Sequence, residues 1–266
     1  MLREIIIAIA AYGKAHDVIR RHRLWKLILI PGFVYMLLFI AGFYVFAITG
    51  KHIVSERLLN VFGIKSWLER MDSGLLSFIF SFTGLVVWLV GMLFYFSLFK
   101  YFWLIVGSPV FAWLSEKTET LLTGKTYHFS FKQLLKDSVR GMGIAGRNML
   151  WQTVYFIALF FISLIPVVGW GVPFLALLIE AYYFGFSMLD YSFERKGESV
   201  GSSIRYIGLH KGLAMGNGMV FYAMHALPVV GWLLAPVYAV VAATITMMDK
   251  SHDGILSDQQ KIRDQL

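Results

Sequence analysis

The sequence predicts an all-α integral membrane protein, and three observations lead to that prediction. Of its 266 residues, 58% are hydrophobic and only 15% are charged, whereas a soluble domain carries about a quarter charged residues. Two uncharged runs, 27–50 and 73–99, each exceed the ~20 residues that cross a bilayer. The pentapeptide Pro-Val-Val-Gly-Trp occurs twice, at 166–170 and 228–232, each time inside a long apolar segment.

The N-terminal segment, residues 1–23, is predicted to be an amphipathic helix that lies in the membrane interface. Apolar residues and one histidine recur along it at helical spacing, namely Ile5, Ile9, Tyr12, His16 and Ile19. Span 1 follows at residues 24–49. Its proline, Pro31, is tolerable because it lies near the start of the helix.

Span 2 is predicted at residues 74–106 and leads into an amphipathic stretch that ends at Thr123-Gly124. Residues 1–26 hold six Lys/Arg and 100–147 hold seven, whereas the 50–73 loop balances four Lys/Arg against three Asp/Glu. The positive-inside rule therefore places the N- and C-termini in the cytoplasm and the 50–73 loop outside.

Two helical hairpins are predicted next, at residues 148–189 and 213–248, followed by a polar tail at 251–266. Proline lacks an amide donor and glycine allows a tight reversal, so the helix should break at Pro166 and Gly169 and again at Pro228 and Gly231. The apolar arms have about 14 to 17 residues, or ~21–25 Å, against a hydrocarbon core of ~30 Å. Each hairpin therefore either just spans the bilayer or dips partway and returns.

The sequence offers little chemistry for catalysis. It has no cysteine, its seven histidines are scattered, and it carries no phosphate-binding loop, dinucleotide fingerprint or nucleophile elbow. We therefore expect no enzyme activity, no cofactor, no metal and no nucleic-acid partner. The net charge of +8 fits positive-inside topology and anionic lipid, or alternatively an anionic substrate.

A basic cluster before span 1 is the main candidate for anion binding. It includes Arg23 and Lys26, and a helix N-terminus with nearby cations favours an oxyanion. The alternative is that these side chains anchor the span to lipid headgroups.

Three acidic residues are candidates for a pore or gate. Glu180 lies well inside an apolar arm, so it should face a cavity or pair with a cation; it has either a gating role or a structural one. Glu116 and Glu119 belong to a charged stretch near the end of span 2, which is either a network at a pore mouth or a solvated helical face.

The chain resembles the CysZ-type sulfate permeases, which share a domain with the etoposide-induced membrane proteins of eukaryotes. The resemblance covers about residues 10 to 250. It rests on the order and spacing of several short motifs: Ser108-Pro109, Glu116 with Glu119, Leu122-Thr123-Gly124, Ile165-Pro166 with Gly169, Asp190-Tyr191 with Phe193, Leu227-Pro228, Pro236, and Ala243-Thr244 before Asp249.

This resemblance implies two long transmembrane helices, two hairpins that penetrate the bilayer only partway, and a homo-oligomer. It also implies sulfate uptake across the bacterial inner membrane. The anion site of the family lies in a Gly-Leu-Arg-Arg-like motif, which aligns with Arg23, Leu24, Trp25 and Lys26 of this chain. Here Arg23 replaces the glycine and Trp25 replaces the first arginine.

The function predicted from these observations is transport of sulfate or a related oxyanion, with membrane lipid and further copies of the chain as partners. The alternative is a membrane scaffold of the same fold that transports nothing. An intramembrane enzyme ranks third.

Overall fold

The computed structural model describes residues 1–52, 74–124, 131–195 and 198–252. Within these ranges the chain is helical and contains no strand. The eight α-helices are α1 (Leu2–Arg21), α2 (Trp25–His52), α3 (Gly74–Thr123), α4 (Phe131–Ser163), α5 (Val172–Arg195), α6 (Val200–Leu209), α7 (Lys211–His225) and α8 (Val230–His252). The 50–73 loop and the 251–266 tail fall largely outside the described residues.

Four helices contain stretches that are long and apolar enough to cross a membrane: α2, α3, α5 and α8. In α3 this stretch covers 43 residues, Ser81–Thr123, which corresponds to ~65 Å. A hydrocarbon core of ~30 Å and a usual helix tilt of ~20° cannot contain that length. The prediction of an all-α, multi-pass membrane protein is confirmed, and α3 extends beyond the lipid.

The described chain forms two compact units. We call Leu37–Phe102 with Met149–Glu180 the hairpin-1 unit, because it contains the break at 166–170. We call Met1–Met36, Trp103–Asn148 and the described residues from Ala181 onward the hairpin-2 unit, because it contains the break at 228–232.

In the hairpin-2 unit, α1 packs against both arms of hairpin 2. Its buried face is small and rich in alanine, with Ala8, Ala11, Tyr12, Ala15 and Ile19. This face is shifted from the predicted one, since His16 is exposed and Ile9 keeps 44% of its surface exposed. The reason is close packing: a Cβ on Gly216 of α7 would lie 2.7 Å from the Ile5 carbonyl oxygen, so only small side chains fit between the two helices.

Polar contacts hold α1 in place. The Tyr12 hydroxyl donates to the Asn217 carbonyl at 2.7 Å, and burial raises the pKa of Tyr12 well above 10. The backbone N–H of Gly212 donates to the Glu4 carboxylate at 3.1 Å. Lys14 forms an exposed ion pair with Asp249, at the far end of hairpin 2. These contacts tie α1 to both arms of hairpin 2, since Gly212 and Asn217 belong to α7 and Asp249 belongs to α8.

In the hairpin-1 unit, an apolar cluster joins α3 to the two arms of hairpin 1. Its buried members are Val86, Val90, Phe156, Leu159, Val172 and Ala176. Near the break, the Trp170 ring packs edge-on against Phe82, with 4.7 Å between centroids. The Trp170 indole N–H also donates to the Thr83 hydroxyl at 3.4 Å. Trp170 therefore fixes the tip of hairpin 1 to α3.

The helices of the hairpins differ in length from the predicted arms. α4 has 33 residues, α5 has 24 and α8 has 23, and only α7, with 15, falls in the predicted range. The prediction counted apolar runs alone, whereas helical hydrogen bonding continues through polar residues such as Lys136 and Arg140, which precede the apolar arm of α4. The apolar part of each helix is therefore shorter than the helix, and the depth to which the hairpins enter the bilayer stays a prediction.

The two hairpin tips share an unusual backbone. Val167 and Val229, the first valine of each pentapeptide, have φ angles of 68° and 65°. In each tip the next amide N–H donates back to the proline carbonyl, at 2.8 Å for Pro166 and 2.7 Å for Pro228. This is the strained form of a γ-turn, and a β-branched residue at positive φ costs on the order of 1–3 kcal/mol.

Glycine does not make this reversal, contrary to the sequence prediction. Gly169 and Gly231 have ordinary φ angles and serve to bring the tip close to the helix before it. A Cβ on Gly169 would lie 2.6 Å from the Ser163 carbonyl oxygen, and one on Gly231 would overlap the Met224 carbonyl. The strain falls on valine because the adjacent glycine is needed for the close approach.

Candidate functional site

The sequence contains two isolated charges of opposite sign in long uncharged runs. Lys100 is the single charged residue in 73–115, and Glu180 is the single charged residue in 148–189. A charge at membrane depth is costly, so it faces water or pairs with another charge. In the hairpin-1 unit, these two residues pair with each other.

The pair is buried and has further polar neighbours. The Lys100 ammonium lies 2.5 Å from Glu180 Oε2, and the two side chains are 8% and 2% exposed. Lys100 also donates to Gln152 Oε1 at 3.0 Å, and the Tyr101 hydroxyl donates to the same oxygen at 2.6 Å. We call Lys100, Tyr101, Gln152 and Glu180 the Lys100 cluster.

The Gln152 amide nitrogen is an unused donor in the Lys100 cluster. Gln152 is fully buried, and its Nε2 has no acceptor among the residues that the structure describes. A buried donor without a partner costs about 1–3 kcal/mol. The cluster therefore offers hydrogen-bond donor capacity that its own side chains do not use.

The cluster lies well away from the tip of hairpin 1. Glu180 is eight residues after the start of α5, and Gln152 is eleven residues before the end of α4, which gives ~12 Å and ~16 Å along the helices. Between the cluster and the tip lies the apolar cluster around Val90 and Phe156. The polar groups are therefore closed off on the tip side by hydrophobic packing.

Such a pair is poor at stabilising a fold. Removing two charges from water costs several kcal/mol per ion, which their attraction barely repays. A well-packed apolar pair of similar volume is often as stable or more stable. The Lys100 cluster is therefore more readily explained by a function than by stability.

A second buried ion pair lies in the hairpin-2 unit. Arg140 Nη2 donates to Asp190 Oδ1 at 3.1 Å and to the Ser203 hydroxyl at 3.2 Å. From the sequence, Asp190 is expected at the membrane exit of hairpin 1, with Arg195 or Arg205 as a conceivable partner; the partner in the structure is Arg140. Its exposed counterpart in the repeat is the Lys14–Asp249 pair.

The predicted anion motif lies in the turn between α1 and α2. Arg23 is exposed and has a φ of 51°, while Leu24 is buried and its N–H donates to the Ile19 carbonyl at 3.0 Å. α2 begins at Trp25, and the side chains of Trp25 and Lys26 fall outside the described residues. The motif therefore lies at a helix N-terminus, as the sequence indicated.

The three predicted acidic residues do not form one group within a unit. Glu116 is half-buried and Glu119 is 7% exposed; both belong to the part of α3 in the hairpin-2 unit. Glu180 belongs to the hairpin-1 unit. Of the four tip residues, Pro166 and Pro228 begin the two γ-turns, while Gly169 lies in the short helical turn Val168–Gly171 and Gly231 in the first turn of α8.

The hairpin-1 unit also contains an apolar cavity of about 560 Å³ between α2, α3 and α4. Its two hydroxyl groups are already engaged, since Thr49 donates to the Val45 carbonyl and Tyr95 to the Gly42 carbonyl. Apart from these groups and the Trp88 ring, the lining is aliphatic or phenylalanine and contains no charged residue, so the cavity is a poor site for an oxyanion. Among the described residues, no group of three or more His, Cys, Asp or Glu could hold a metal ion.

Sequence reasoning missed Lys100, Gln152 and the Arg140–Asp190 pair. A signal for Lys100 was present, because a lone base and a lone acid in two apolar runs are natural partners. No comparable signal exists for Gln152 or Arg140. Their roles depend on how the helices pack.

Comparison with known proteins agrees with this architecture. The profile of the family described as "Sulfate transporter CysZ/Etoposide-induced protein 2.4" matches residues 11–236. A Vibrio atlanticus protein named "Sulfate transporter CysZ" is 26% identical over 211 residues, which covers 77% of this chain and 83% of that protein. Proteins of the same name from Vibrio parahaemolyticus and Pseudomonas fluorescens are 27% and 26% identical, over 68% and 59% of this chain and 75% and 62% of their own lengths.

Proposed function

Because this chain belongs to the Sulfate transporter CysZ/Etoposide-induced protein 2.4 family, we propose that it takes up sulfate or a related oxyanion across the bacterial inner membrane. The observation that carries this proposal is the similarity to relatives named sulfate transporter along most of both chains. Four helices of membrane-crossing length are consistent with a transport pathway through the bilayer.

The proposed topology has both termini in the cytoplasm. It rests on the excess of Lys/Arg in residues 1–26 and 100–147 over the balanced 50–73 loop. We propose a homo-oligomer as well. Both tips expose apolar residues, including Val168 at 65% and Val230 at 60%, and non-helical backbone at membrane depth needs protein or water around it.

Arg23 and Lys26 are the proposed entry site for the anion. The first amide groups of α2 have no carbonyl partner within the helix, and the helix dipole favours negative charge at that end. The exposed Arg23 side chain adds a fork of donors that suits a sulfate oxygen pair. The remaining members of the motif, Leu24 and Trp25, belong to the same proposed site, and the backbone N–H of buried Leu24 donates to the Ile19 carbonyl at 3.0 Å.

Flux of labelled sulfate into proteoliposomes tests both parts of the proposal. Wild-type protein should give saturable uptake above empty liposomes, and Arg23→Ala with Lys26→Ala should lower the apparent affinity for sulfate by about tenfold or more. The matched control is Arg3→Ala with Lys117→Ala, which removes the same charge from two exposed positions and should leave uptake unchanged.

The possible failures are distinct. No sulfate-dependent flux from the wild-type protein would overturn the transport proposal and favour a membrane scaffold of the same fold. Normal affinity in the Arg23/Lys26 variant, with wild-type flux present, would leave the function in place and remove the entry site.

A further inference from the structure

We propose that the Lys100 cluster is an oxyanion site within the hairpin-1 unit, which the Glu180 carboxylate occupies in this structure and yields to the transported anion. This inference rests on the proposed function and adds to it a second binding position, remote in sequence from Arg23 and Lys26. The Glu180 carboxylate therefore takes the position on Lys100 that a sulfate oxygen would take when the anion binds.

The contact between Glu180 and the Lys100 ammonium is the first observation behind this proposal. Its Oε2 accepts a hydrogen bond from the Lys100 ammonium, and such charge-assisted hydrogen bonds are stronger than neutral ones. A sulfate oxygen carries similar charge and accepts the same kind of bond. The ammonium is therefore already positioned for an oxyanion, and the occupant belongs to the chain itself.

The unused amide nitrogen of Gln152 is the second observation. Its Oε1 accepts hydrogen bonds from both Lys100 and Tyr101, which fixes the orientation of the amide. Nε2 therefore points away from these donors, is buried, and has no acceptor among the described residues. A second oxygen of a bound anion would supply that acceptor.

Glu180 is an acidic residue in a proposed anion site, and its charge has a role there. Lys100 without a counter-charge would be an uncompensated buried cation, and it would attract any small anion that reached it. Glu180 removes both problems, since it neutralises Lys100 and blocks its ammonium. The oxyanion must then compete with a carboxylate held in place by α5, so the site stays closed until a strong ligand arrives.

Packing around the site agrees with a closed state. Lys100, Tyr101, Gln152 and Glu180 are each no more than 7% exposed, and the apolar cluster that includes Val90 and Phe156 fills the space toward the tip. The polar groups of the Lys100 cluster are therefore buried from solvent by the described residues in this conformation.

Three variants separate this proposal from a purely structural ion pair. Glu180→Gln removes the competing charge and keeps the shape, so sulfate should bind the purified protein about tenfold or more tightly. Lys100→Met should abolish saturable uptake. Lys100→Met with Glu180→Leu replaces the pair by apolar groups, and it should regain a wild-type melting temperature while uptake stays absent.

The control uses the other buried pair. Arg140→Met with Asp190→Leu makes the same kind of exchange in the hairpin-2 unit, and it should leave sulfate affinity within about twofold of wild type. Sulfate binding by titration calorimetry, uptake into proteoliposomes and thermal unfolding are measured for every variant.

Two results would overturn the inference. One is normal sulfate uptake by the folded Lys100→Met/Glu180→Leu protein, which would make the pair a structural brace. The other is unchanged or weaker sulfate binding by Glu180→Gln at wild-type stability. Either result, obtained while wild-type protein transports sulfate, refutes the second site and leaves the proposed function intact.

Discussion

The contact between α5 and α7 supports a sharp prediction about packing. Two small-residue pairs face each other: Ala181 with Gly185 on α5, and Ala214 with Gly218 on α7. A Cβ on Gly185 would overlap the Ala214 carbonyl, and a Cβ on Gly218 would overlap the Ala181 carbonyl. This is the small-xxx-small arrangement by which membrane helices approach closely.

Gly185→Ala should therefore destabilise the protein. Since the overlapping atoms are backbone, the helices must separate, at a cost of about 1–3 kcal/mol for overpacking. Separation also weakens the stack of Phe184 on Phe221, whose centroids are 3.6 Å apart, by about 0.5–1.5 kcal/mol. Alanine returns up to about 1 kcal/mol of helix propensity, which roughly offsets the weakened stacking, so the net loss is about 1–3 kcal/mol.

Thermal unfolding in detergent, followed by tryptophan fluorescence, measures this loss. For a chain of this size it corresponds to a fall in Tm of roughly 2–10 °C. Gly13→Ala is the control, because a Cβ on this α1 glycine meets nothing within 4 Å, so Tm should stay level or rise.

The double variant tests the mechanism itself. Once Gly185→Ala has separated the helices, the second Cβ enters space that is already open. Gly185→Ala with Gly218→Ala should therefore lose less stability than the sum of the two single variants. Strict additivity, or a Gly185→Ala protein as stable as Gly13→Ala, would refute the close-contact reasoning.

The tip of hairpin 2, the Arg140–Asp190 pair and the Tyr12 hydroxyl each give a further prediction. Gly231→Ala should destabilise hairpin 2 by about 1–3 kcal/mol, whereas Gly171→Ala, with nothing within 4 Å of its Cβ, should leave Tm unchanged; thermal unfolding measures both. Asp190→Ala removes the carboxylate partner of Arg140, whose side chain is 14% exposed, and should cost up to about 3–5 kcal/mol, the loss for a fully buried pair, while Asp249→Ala breaks only an exposed pair and should cost no more than about 1 kcal/mol; equal losses in thermal unfolding would contradict this. Because burial raises the pKa of Tyr12 in the folded protein, its neutral hydroxyl stabilises the fold below pH 10 and loses that effect as pH rises further; the stability difference between wild type and Tyr12→Phe should therefore be constant from pH 7 to 9 and shrink above pH 10.

Hydropathy predicted the fold class well because the bilayer imposes strong rules on it. Span 1 at 24–49 overlaps α2, which begins at Trp25, span 2 at 74–106 lies within α3, and the repeated pentapeptide lies at two helix breaks. Three of the four hairpin helices are longer than the predicted apolar arms, because an apolar run ends before its helix does. The sequence did not predict the positive φ angles of Val167 and Val229, because glycine is the residue that usually adopts them. Gly169 and Gly231 instead lie where the tip packs closely against the preceding helix.

The candidate site was harder to predict because it depends on pairing between distant helices. Glu180 was expected to need a cation or a cavity, and the structure supplies Lys100, 80 residues away in sequence. The Gln152 amide carries no such demand in the sequence, since one glutamine in an apolar helix can satisfy itself in many ways. Its importance follows only from the two hydrogen bonds that orient it.

The two hairpins of the internal repeat have the same tip geometry but differ in their internal charges. Both tips have the same γ-turn, so the repeat preserves backbone geometry. Their charges differ, because hairpin 1 carries Glu180 at depth whereas hairpin 2 has no Asp, Glu, Lys or Arg between Lys211 and Asp249. Hairpin 2 instead packs α1 against glycines of α7. Both hairpins have the same backbone geometry at the tip, but only the sequence of hairpin 1 contains an internal charge. We therefore expect hairpin 2 to hold α1 in place and hairpin 1 to contact the anion.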